Sequence, residues 1–193
     1  MSQVPYKQIR ALHDERLVRV YQAYSTPIAS AALRAGRFVA PFKRERMTWV
    51  KPSFLWMMYR AGWGMKDPGQ QCVLAIDITR EGFEWALRNS CLAKQAQHLT
   101  PKPPVRVQWD PERDVRLQRL DHRSLQMGLS GPAVAGYVDE WTERISDVTE
   151  LAHTVKRLVD REDIEGAVAL LPRETPYPTP TDIRDHLGMD EGP

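Results

Sequence analysis

The stretch RLVRVYQAYSTPIASAALRAG, residues 16–36, places a strand directly before a helix. Its first half, residues 16–24, is rich in β-branched and aromatic residues, which favours a strand. Its second half carries the punctuation of a helix, since Thr26 suits the N-cap, Pro27 the first helical position and Gly36 the position after the last turn. Both element types therefore occur close together at the start of the chain.

The same patterns recur further along without the regular alternation of a doubly wound parallel sheet. Strands are predicted over residues 72–78, 105–109, 123–129 and 140–145, and the segment WDPERD, residues 109–114, is predicted to be a turn. Helices are predicted over residues 52–61, 79–90, 131–138, 148–159 and 163–171. We expect an α+β fold in which a small mixed or barrel-like β-sheet is flanked by helices.

The domain organisation follows from length and from the prolines near the end. A chain of 193 residues fits one domain with elaborations, and we assign residues 1–171 to a single α+β domain. Residues 172–193, PRETPYPTPTDIRDHLGMDEGP, contain five prolines and few apolar residues. This composition predicts a proline-rich, loosely ordered C-terminal tail.

Composition narrows the class of protein. Hydrophobic residues make up 42% and charged residues 27% of the chain, as in ordinary globular proteins. The sequence has no apolar run long enough for a membrane span and no signal peptide at its start, so we expect a cytoplasmic protein. The two cysteines and five histidines show no metal-ligand spacing, and neither a metal nor another cofactor is predicted.

Charge is distributed unevenly although the net charge is only +2. Residues 31–66 hold eight cations and one acid, whereas residues 139–193 hold fourteen acids and six cations. The basic region also contains Trp49, Trp56 and Trp63. Cations interleaved with aromatic residues are typical of surfaces that bind single-stranded nucleic acid.

The helix over residues 52–61 divides into two faces. Its apolar positions recur at helical spacing and predict a core-facing stripe, whereas its second face is polar, aromatic and cationic. The N-terminus of a helix attracts anions, and basic residues precede this one closely. The predicted nucleic-acid- or anion-binding residues are Arg19, Tyr21, Lys43, Arg44, Arg46, Lys51, Ser53, Trp56 and Arg60.

Structural explanations compete with this interpretation. Each tryptophan can equally be a core anchor, and a basic run is often a solvated face. Asp77 and Glu81 can supply a carboxylate for proton transfer, but helix capping explains Glu81 as well. Motifs of an elbow serine, a P-loop or a Rossmann dinucleotide site are absent from the sequence.

Five blocks in a fixed order identify a resemblance: IRALHDERLVRVYQAYSTPIASAALRAGRF, RMTWVKPSFLWMMYRAGWG, VLAIDITREGFEWAL, RSLQMGLSG and ISDVT. They resemble the domain of unknown function 4291 family over residues 8–158. That family is similar in fold to the ASCH and PUA-like group, small β-barrels with flanking helices that mostly bind RNA or modified bases. The resemblance implies a cleft that accepts nucleic acid, although the ASCH signature GxKxxExR is absent here.

Some ASCH-like proteins are amidohydrolases of modified nucleosides that use a lysine, a threonine and a glutamate. The resemblance therefore suggests catalytic candidates: Lys51 as base, Thr48 as nucleophile and Glu81 as orienting acid. The expected function is binding of RNA or another single strand in a basic, Trp-rich cleft. The alternative is a small hydrolase that acts on a nucleotide or modified nucleoside in the same pocket, and a third possibility is a protein-interaction module that uses the acidic C-terminal region.

Overall fold

The computed structural model describes residues 4–96, 98–190 and 192. Its strands are β1 (Arg10–Ala11), β2 (Leu17–Tyr24), β3 (Thr48–Val50), β4 (Cys72–Thr79), β5 (Ser90–Leu92), β6 (Val105–Arg113), β7 (Arg119–Leu129), β8 (Thr142–Asp147) and β9 (Thr175–Pro176). Its helices are α1 (Thr26–Ala35), α2 (Phe54–Ala61), α3 (Arg80–Arg88), α4 (Pro132–Gly136), α5 (Thr149–Asp160), α6 (Ile164–Leu170) and α7 (Thr181–His186). Among these helices none is long and apolar enough to cross a bilayer.

Two of the sheets meet at an isolated backbone bridge between Tyr21 and Lys51. One has the order β2–β4–β8 and is antiparallel; the other has the order β3–β7–β6–β5 and contains one parallel pair, β5 with β6. Tyr21 N donates to the Lys51 carbonyl at 2.7 Å, and Lys51 N donates to the Tyr21 carbonyl at 3.3 Å. The α+β prediction with a mixed sheet is confirmed, while over the described residues the strands do not close into a barrel.

The sheet formed by β2, β4 and β8 is covered on both faces. Leu74 and Ile76 of β4 belong to a core cluster that includes residues of α1, α3 and α4. Val73 and Ala75, on the opposite face of the same strand, belong to a second cluster with α2, α5 and α6. Neighbouring residues of a strand point to opposite faces, and both faces of β4 are buried. Residues 73–76 are therefore all apolar.

The helix ends confirm the predicted position of Gly36 and correct the predicted starts of α1 and α2. Gly36 follows α1 with a left-handed φ of 66°, the conformation that favours glycine there. Thr79 caps α3, since its side chain accepts a hydrogen bond from Gly82 N at 3.1 Å. The N-cap of α1 is Ser25 rather than Thr26, and α2 begins at Phe54 after the N-cap Ser53.

The turn predicted for residues 109–114 is wrong. β6 continues through Pro111, and the chain reverses only after it, where Asp114 Oδ1 accepts from Gln118 N at 2.7 Å. The register of β6 against β7 shifts between Pro111 and Arg113, and such irregularities are where a sheet tolerates proline. Asp110 therefore has a fixed place on a strand.

The strand predicted for residues 140–145 is displaced. The chain makes a π-helical turn over Tyr137–Trp141, and β8 begins only at Thr142. Gly136, in the last turn of α4, lies against the Trp141 ring, so closely that an added Cβ would stand 2.6 Å from it. Trp141 is thus a buried anchor rather than a strand residue.

Residues 172–190 are structured, unlike the loosely ordered tail expected for residues 172–193. Their strand β9 pairs antiparallel with β1. The few apolar side chains of this segment are buried: Tyr177, Ile183, Leu187 and Met189. Of the predicted tail, residues 191 and 193 lie outside the described part. The prolines of the segment fit a short strand and a helix start, because they stiffen an extended chain that is anchored by burial.

Candidate functional site

A cavity of about 630 Å³ opens beside the bridge between the two sheets. Its walls come from β2, β3 and the segment before it, from α2, and from the paired strands β6 and β7. Five of the residues proposed from the sequence line it: Lys43, Arg46, Thr48, Lys51 and Arg60. Cations from the loop before β3, from the end of β3 and from α2 are thus gathered around one concave surface.

Lys51 lies directly after β3 and is only 5% exposed. Its Nζ stands over the Trp56 ring, 5.2 Å from the centroid. Burial and then the charge of Arg60 lower the pKa of Lys51 to about 7, against the attraction of Asp110. Among the described side chains none forms an ion pair or a hydrogen bond with Nζ. The amine is therefore buried, lines the cavity and lacks a charge partner.

Three further cations stand around the cavity. Lys43, Arg46 and Arg60 are exposed, and within the described part of the chain no carboxylate pairs with them. With Lys51 they place four cations on one cavity. A concave surface lined by one sign of charge concentrates ligands of the opposite sign, so the site favours an anion.

One wall of the cavity is a fixed hydrogen-bond network. Tyr137 Oη donates to Gln22 Oε1 at 2.7 Å, which orients the amide of Gln22. Gln22 Nε2 then donates to Thr48 Oγ1 at 2.6 Å, and Tyr24 Oη lies 2.9 Å from the same oxygen. Because Gln22, Tyr24 and Thr48 all line the cavity, the position of the threonine hydroxyl is set before any ligand arrives.

A second polar wall centres on Asp110. Gln108 Nε2 donates to Asp110 Oδ1 at 3.1 Å, and Gln126 Nε2 donates to Oδ2 at 2.7 Å. The two glutamines are direct partners across β6 and β7, and both line the cavity. Burial raises the pKa of Asp110. Asp110 therefore orients two amide groups that are suited to hydrogen bonding with a planar polar ligand.

The N-terminus of α2, where we expected an anion, is closed by internal carboxylates. Phe54 N donates to Glu174 Oε1 at 2.7 Å. Ser53 Oγ accepts from Trp56 N at 3.1 Å and donates to Glu112 Oε1 at 2.8 Å. Burial and then the neighbouring charge of Glu112 raise the pKa of Glu174 to about 8. The protein itself supplies the acid that this helix end attracts.

Arg19 and Tyr21 lie away from the cavity. Arg19 Nε donates to Asp77 Oδ1 at 2.7 Å, and Arg144 bonds the other oxygen of the same carboxylate. These cations hold the pKa of Asp77 below its ordinary value against the effect of burial. Tyr21 is buried with its ring 5.4 Å from that of Phe54. Successive side chains of a strand point to opposite faces, so Arg19 and Tyr21 of β2 lie on the face opposite to Gln22, which lines the cavity.

Some of the remaining candidate residues line the main cavity, and others lie away from it. Arg44 pairs with Asp139 and lines a separate cavity of about 260 Å³. Trp56 is buried beneath Lys51, and Trp63 is buried in the second core cluster, whereas Trp49 is half-buried and lines the main cavity. Glu81 is exposed in the first turn of α3. Of the three catalytic candidates, Lys51 and Thr48 thus share the cavity.

Sequence reasoning missed the amide residues of the site: Gln22, Gln70, Gln108 and Gln126. A glutamine carries no motif of its own, and its position in the cavity depends on strand register. In the ranges 4–96 and 98–190, no group of three or more His, Cys, Asp or Glu side chains is placed to hold a metal ion.

Comparison with known proteins gives a family without an assigned activity. No curated protein matches the chain significantly. The family model described as "Domain of unknown function (DUF4291)" matches residues 8–177, which is most of the chain. The protein therefore belongs to the DUF4291 family of domains of unknown function.

Proposed function

We propose that the protein binds nucleic acid, RNA or another single strand, by holding one nucleotide of it in the main cavity. The observation that carries the proposal is the set of four cations around that cavity for which the described residues supply no carboxylate partner: Lys43, Arg46, Lys51 and Arg60. If these cations served only to stabilise the fold, the buried cation, Lys51, would be expected to form an ion pair with a carboxylate. A phosphate group would supply the missing negative charge.

The size and lining of the cavity suit a nucleotide. A volume of about 630 Å³ lies within the range of roughly 300–1,000 Å³ typical of small-molecule pockets, which fits one nucleotide and not a duplex. The amides of Gln108 and Gln126 match the polar edges of a base, and the half-buried Trp49 offers a ring for stacking. The distant relationship to ASCH and PUA-like proteins that we propose agrees with such a ligand, as does a cytoplasmic location.

The second candidate is a small hydrolase of a nucleotide or modified nucleoside. It is favoured by one observation: Thr48 and Lys51 line the same cavity, and the pKa of Lys51 is lowered to about 7. An amine with this pKa is a suitable general base near neutral pH. In this alternative the orienting acid is Asp110, which interacts electrostatically with Lys51, and not Glu81.

Binding is tested with fluorescently labelled single-stranded RNA and DNA of mixed sequence at low salt. We expect the double variant Lys51→Ala with Arg46→Ala to weaken binding at least about tenfold, since each removes a phosphate contact. Arg44→Ala is the matched control, because Arg44 is close in sequence but pairs with Asp139 outside the cavity. Undetectable binding by the natural protein, or equal binding by the double variant, would exclude the proposal.

The hydrolase alternative is tested by incubating the protein with acetylated nucleosides and following product by chromatography. The alternative requires turnover by the natural protein and its loss in Thr48→Val. This variant keeps the shape of the side chain and removes the hydroxyl that Gln22 and Tyr24 position. Turnover that is unchanged in Thr48→Val would exclude the assigned nucleophile.

A further inference from the structure

Lys51 has the surroundings of a reactive amine and not only of a charge. Its side chain is 95% hidden, yet it lines the cavity, and no described side chain bonds its Nζ. We propose that Lys51 is a nucleophile that forms an imine with an aldehyde carried by a phosphate-bearing ligand in this cavity. The inference rests on the proposed function, because the other three cations of the cavity, Lys43, Arg46 and Arg60, would hold the phosphate.

A lysine attacks a carbonyl only as the neutral amine. Burial and the neighbouring guanidinium of Arg60 both disfavour the ammonium form, so the pKa of Lys51 falls to about 7. Desolvation beside another cation is a known way in which proteins activate a lysine as a nucleophile. Trp56 fixes the side chain from below, since its ring centroid lies 5.2 Å from Nζ. The nitrogen is thus held in place, and about half of it is the neutral amine at pH 7.

The reaction balances without any oxidant or further reactant. The lone pair of Nζ attacks the aldehyde carbon and forms the new C–N bond, while the carbonyl oxygen takes up a proton. The resulting carbinolamine then loses water: its C–O bond breaks, the remaining proton of the nitrogen departs, and a C=N bond is left. Water is the sole leaving group.

The surrounding cations define the rest of the ligand. Arg60 is close enough to Lys51 to affect its charge, and Lys43 and Arg46 line the same cavity. A phosphate bound by these side chains would hold the aldehyde beside Nζ, which raises the effective concentration of the reacting groups. The imine nitrogen becomes cationic when it takes up a proton, and the same phosphate would compensate for burying that charge.

Two kinds of ligand carry both an aldehyde and a phosphate. A free sugar phosphate presents an aldehyde in its open-chain form, and an abasic position in a nucleic acid strand presents an aldehyde flanked by phosphates. The cavity volume of about 630 Å³ accommodates either group. The experiment therefore has one arm for each source.

In the first arm the protein is incubated at pH 7.5 with ribose 5-phosphate and cyanoborohydride. In the second it is incubated with a single-stranded oligonucleotide that contains one abasic position. Cyanoborohydride reduces an imine to a stable secondary amine, and peptide mapping by mass spectrometry locates it. We expect one adduct at Lys51 in at least one arm, and the arm that reacts identifies the source. No adduct in either arm, or label spread evenly over exposed lysines, overturns the proposal.

Matched variants separate this inference from the proposed function. Lys51→Arg is expected to abolish the adduct because arginine cannot form the imine, whereas Lys66→Arg, at an exposed lysine outside the cavity, is expected to retain it. Peptide mapping of the natural protein assigns the site even if Lys51→Arg does not fold. If the natural protein binds an intact strand but gives no adduct, the imine proposal fails and the binding proposal stands.

Discussion

Helix α2 lies between two ionisable side chains, the half-buried Glu174 and the buried Lys51, that have different partners in the fold. Glu174 contacts the first turn of the helix, where its carboxylate accepts a hydrogen bond from Phe54 N. Lys51 precedes the helix and lines the cavity, with no carboxylate partner in the described residues. The first group closes a helix end and ties in the C-terminal segment, whereas the second remains available. The carboxyl of Glu174 has its hydrogen-bond partner within the fold, whereas a buried cation without a partner marks where a ligand is expected.

The two groups also respond to pH in opposite directions. The pKa of Lys51 is lowered to about 7 and that of Glu174 is raised to about 8. In both cases the folded protein disfavours the charged form. The free energy cost of burying Lys51 is therefore greatest at low pH, and the cost of burying Glu174 is greatest at high pH.

The largest expected effect is that of Lys51→Met on stability. At pH 6 both the folded and the unfolded chain protonate Lys51, so the full cost of its lowered pKa is present. We expect the variant to be more stable than the natural protein by roughly 3–5 kcal/mol at that pH. Between pH 7 and 10.5 the unfolded chain binds the additional proton, so the stability of the natural protein rises and the difference shrinks.

Urea denaturation at pH 6, 8 and 10 measures this change, with Lys66→Met as the control. Lys66 is exposed, and its replacement is expected to change the free energy of unfolding by less than about 0.5 kcal/mol. A Lys51→Met protein that is less stable at pH 6 would mean that Lys51 has a charge partner. The contrast with Glu174 would then disappear.

The variant Glu174→Gln tests how the charge of Glu174 affects stability. Glutamine retains an oxygen that can accept from Phe54 N and removes the charge that Glu112 opposes. Because the folded pKa is raised, the stability of the natural protein falls as pH rises from 4.5 to about 8. We expect the variant to be more stable by about 2–4 kcal/mol at pH 9 and nearly equal at pH 4.

Thermal or urea unfolding across this range gives the measurement, and Glu165→Gln on the exposed part of α6 is the control. The nearby charges are Glu112, which raises the pKa of Glu174, and Arg10, which lowers it. A pH dependence that is the same in the natural protein and in Glu174→Gln would show that this carboxyl is not buried in the manner described.

A smaller effect is expected from the cap of α2. Ser53→Ala removes the acceptor for Trp56 N and the hydroxyl that donates to Glu112, so we expect a loss of about 1–2 kcal/mol. Ser25→Ala is the matched control, because Ser25 is the N-cap of α1 without a side-chain cap bond. Urea denaturation measures the free energy of unfolding of both variants. Equal losses would mean that the side-chain hydrogen bonds of Ser53 do not stabilise the protein.

The sequence predicts one half of the candidate site and not the other. Lys43, Arg46, Lys51 and Arg60 stand close together in a basic, Trp-containing stretch, so local reasoning finds them. Asp110 and its two glutamines depend on the register of β6 against β7, and Pro111 made that segment resemble a turn. Local pattern contains no information about which residue lies across the sheet.

The contact between Phe54 and Glu174 shows the same limit over a longer distance. The two residues are 120 positions apart, and the composition around Glu174 is rich in proline and poor in apolar residues. The segment is ordered because a few side chains such as Tyr177 and Ile183 are fully enclosed. Composition averages over a segment and therefore misses a small number of well-buried anchors.

The contrast between Lys51 and Glu174 is tested most directly by an NMR titration of the Lys51 side chain, with and without a nucleoside monophosphate. We predict a pKa of about 7 in the free protein and a clear rise on addition of the nucleotide, because a bound phosphate favours the ammonium form. An ordinary lysine pKa near 10.4 in the free protein, or a pKa that the nucleotide leaves unchanged, would contradict the assignment of this cavity as the ligand site.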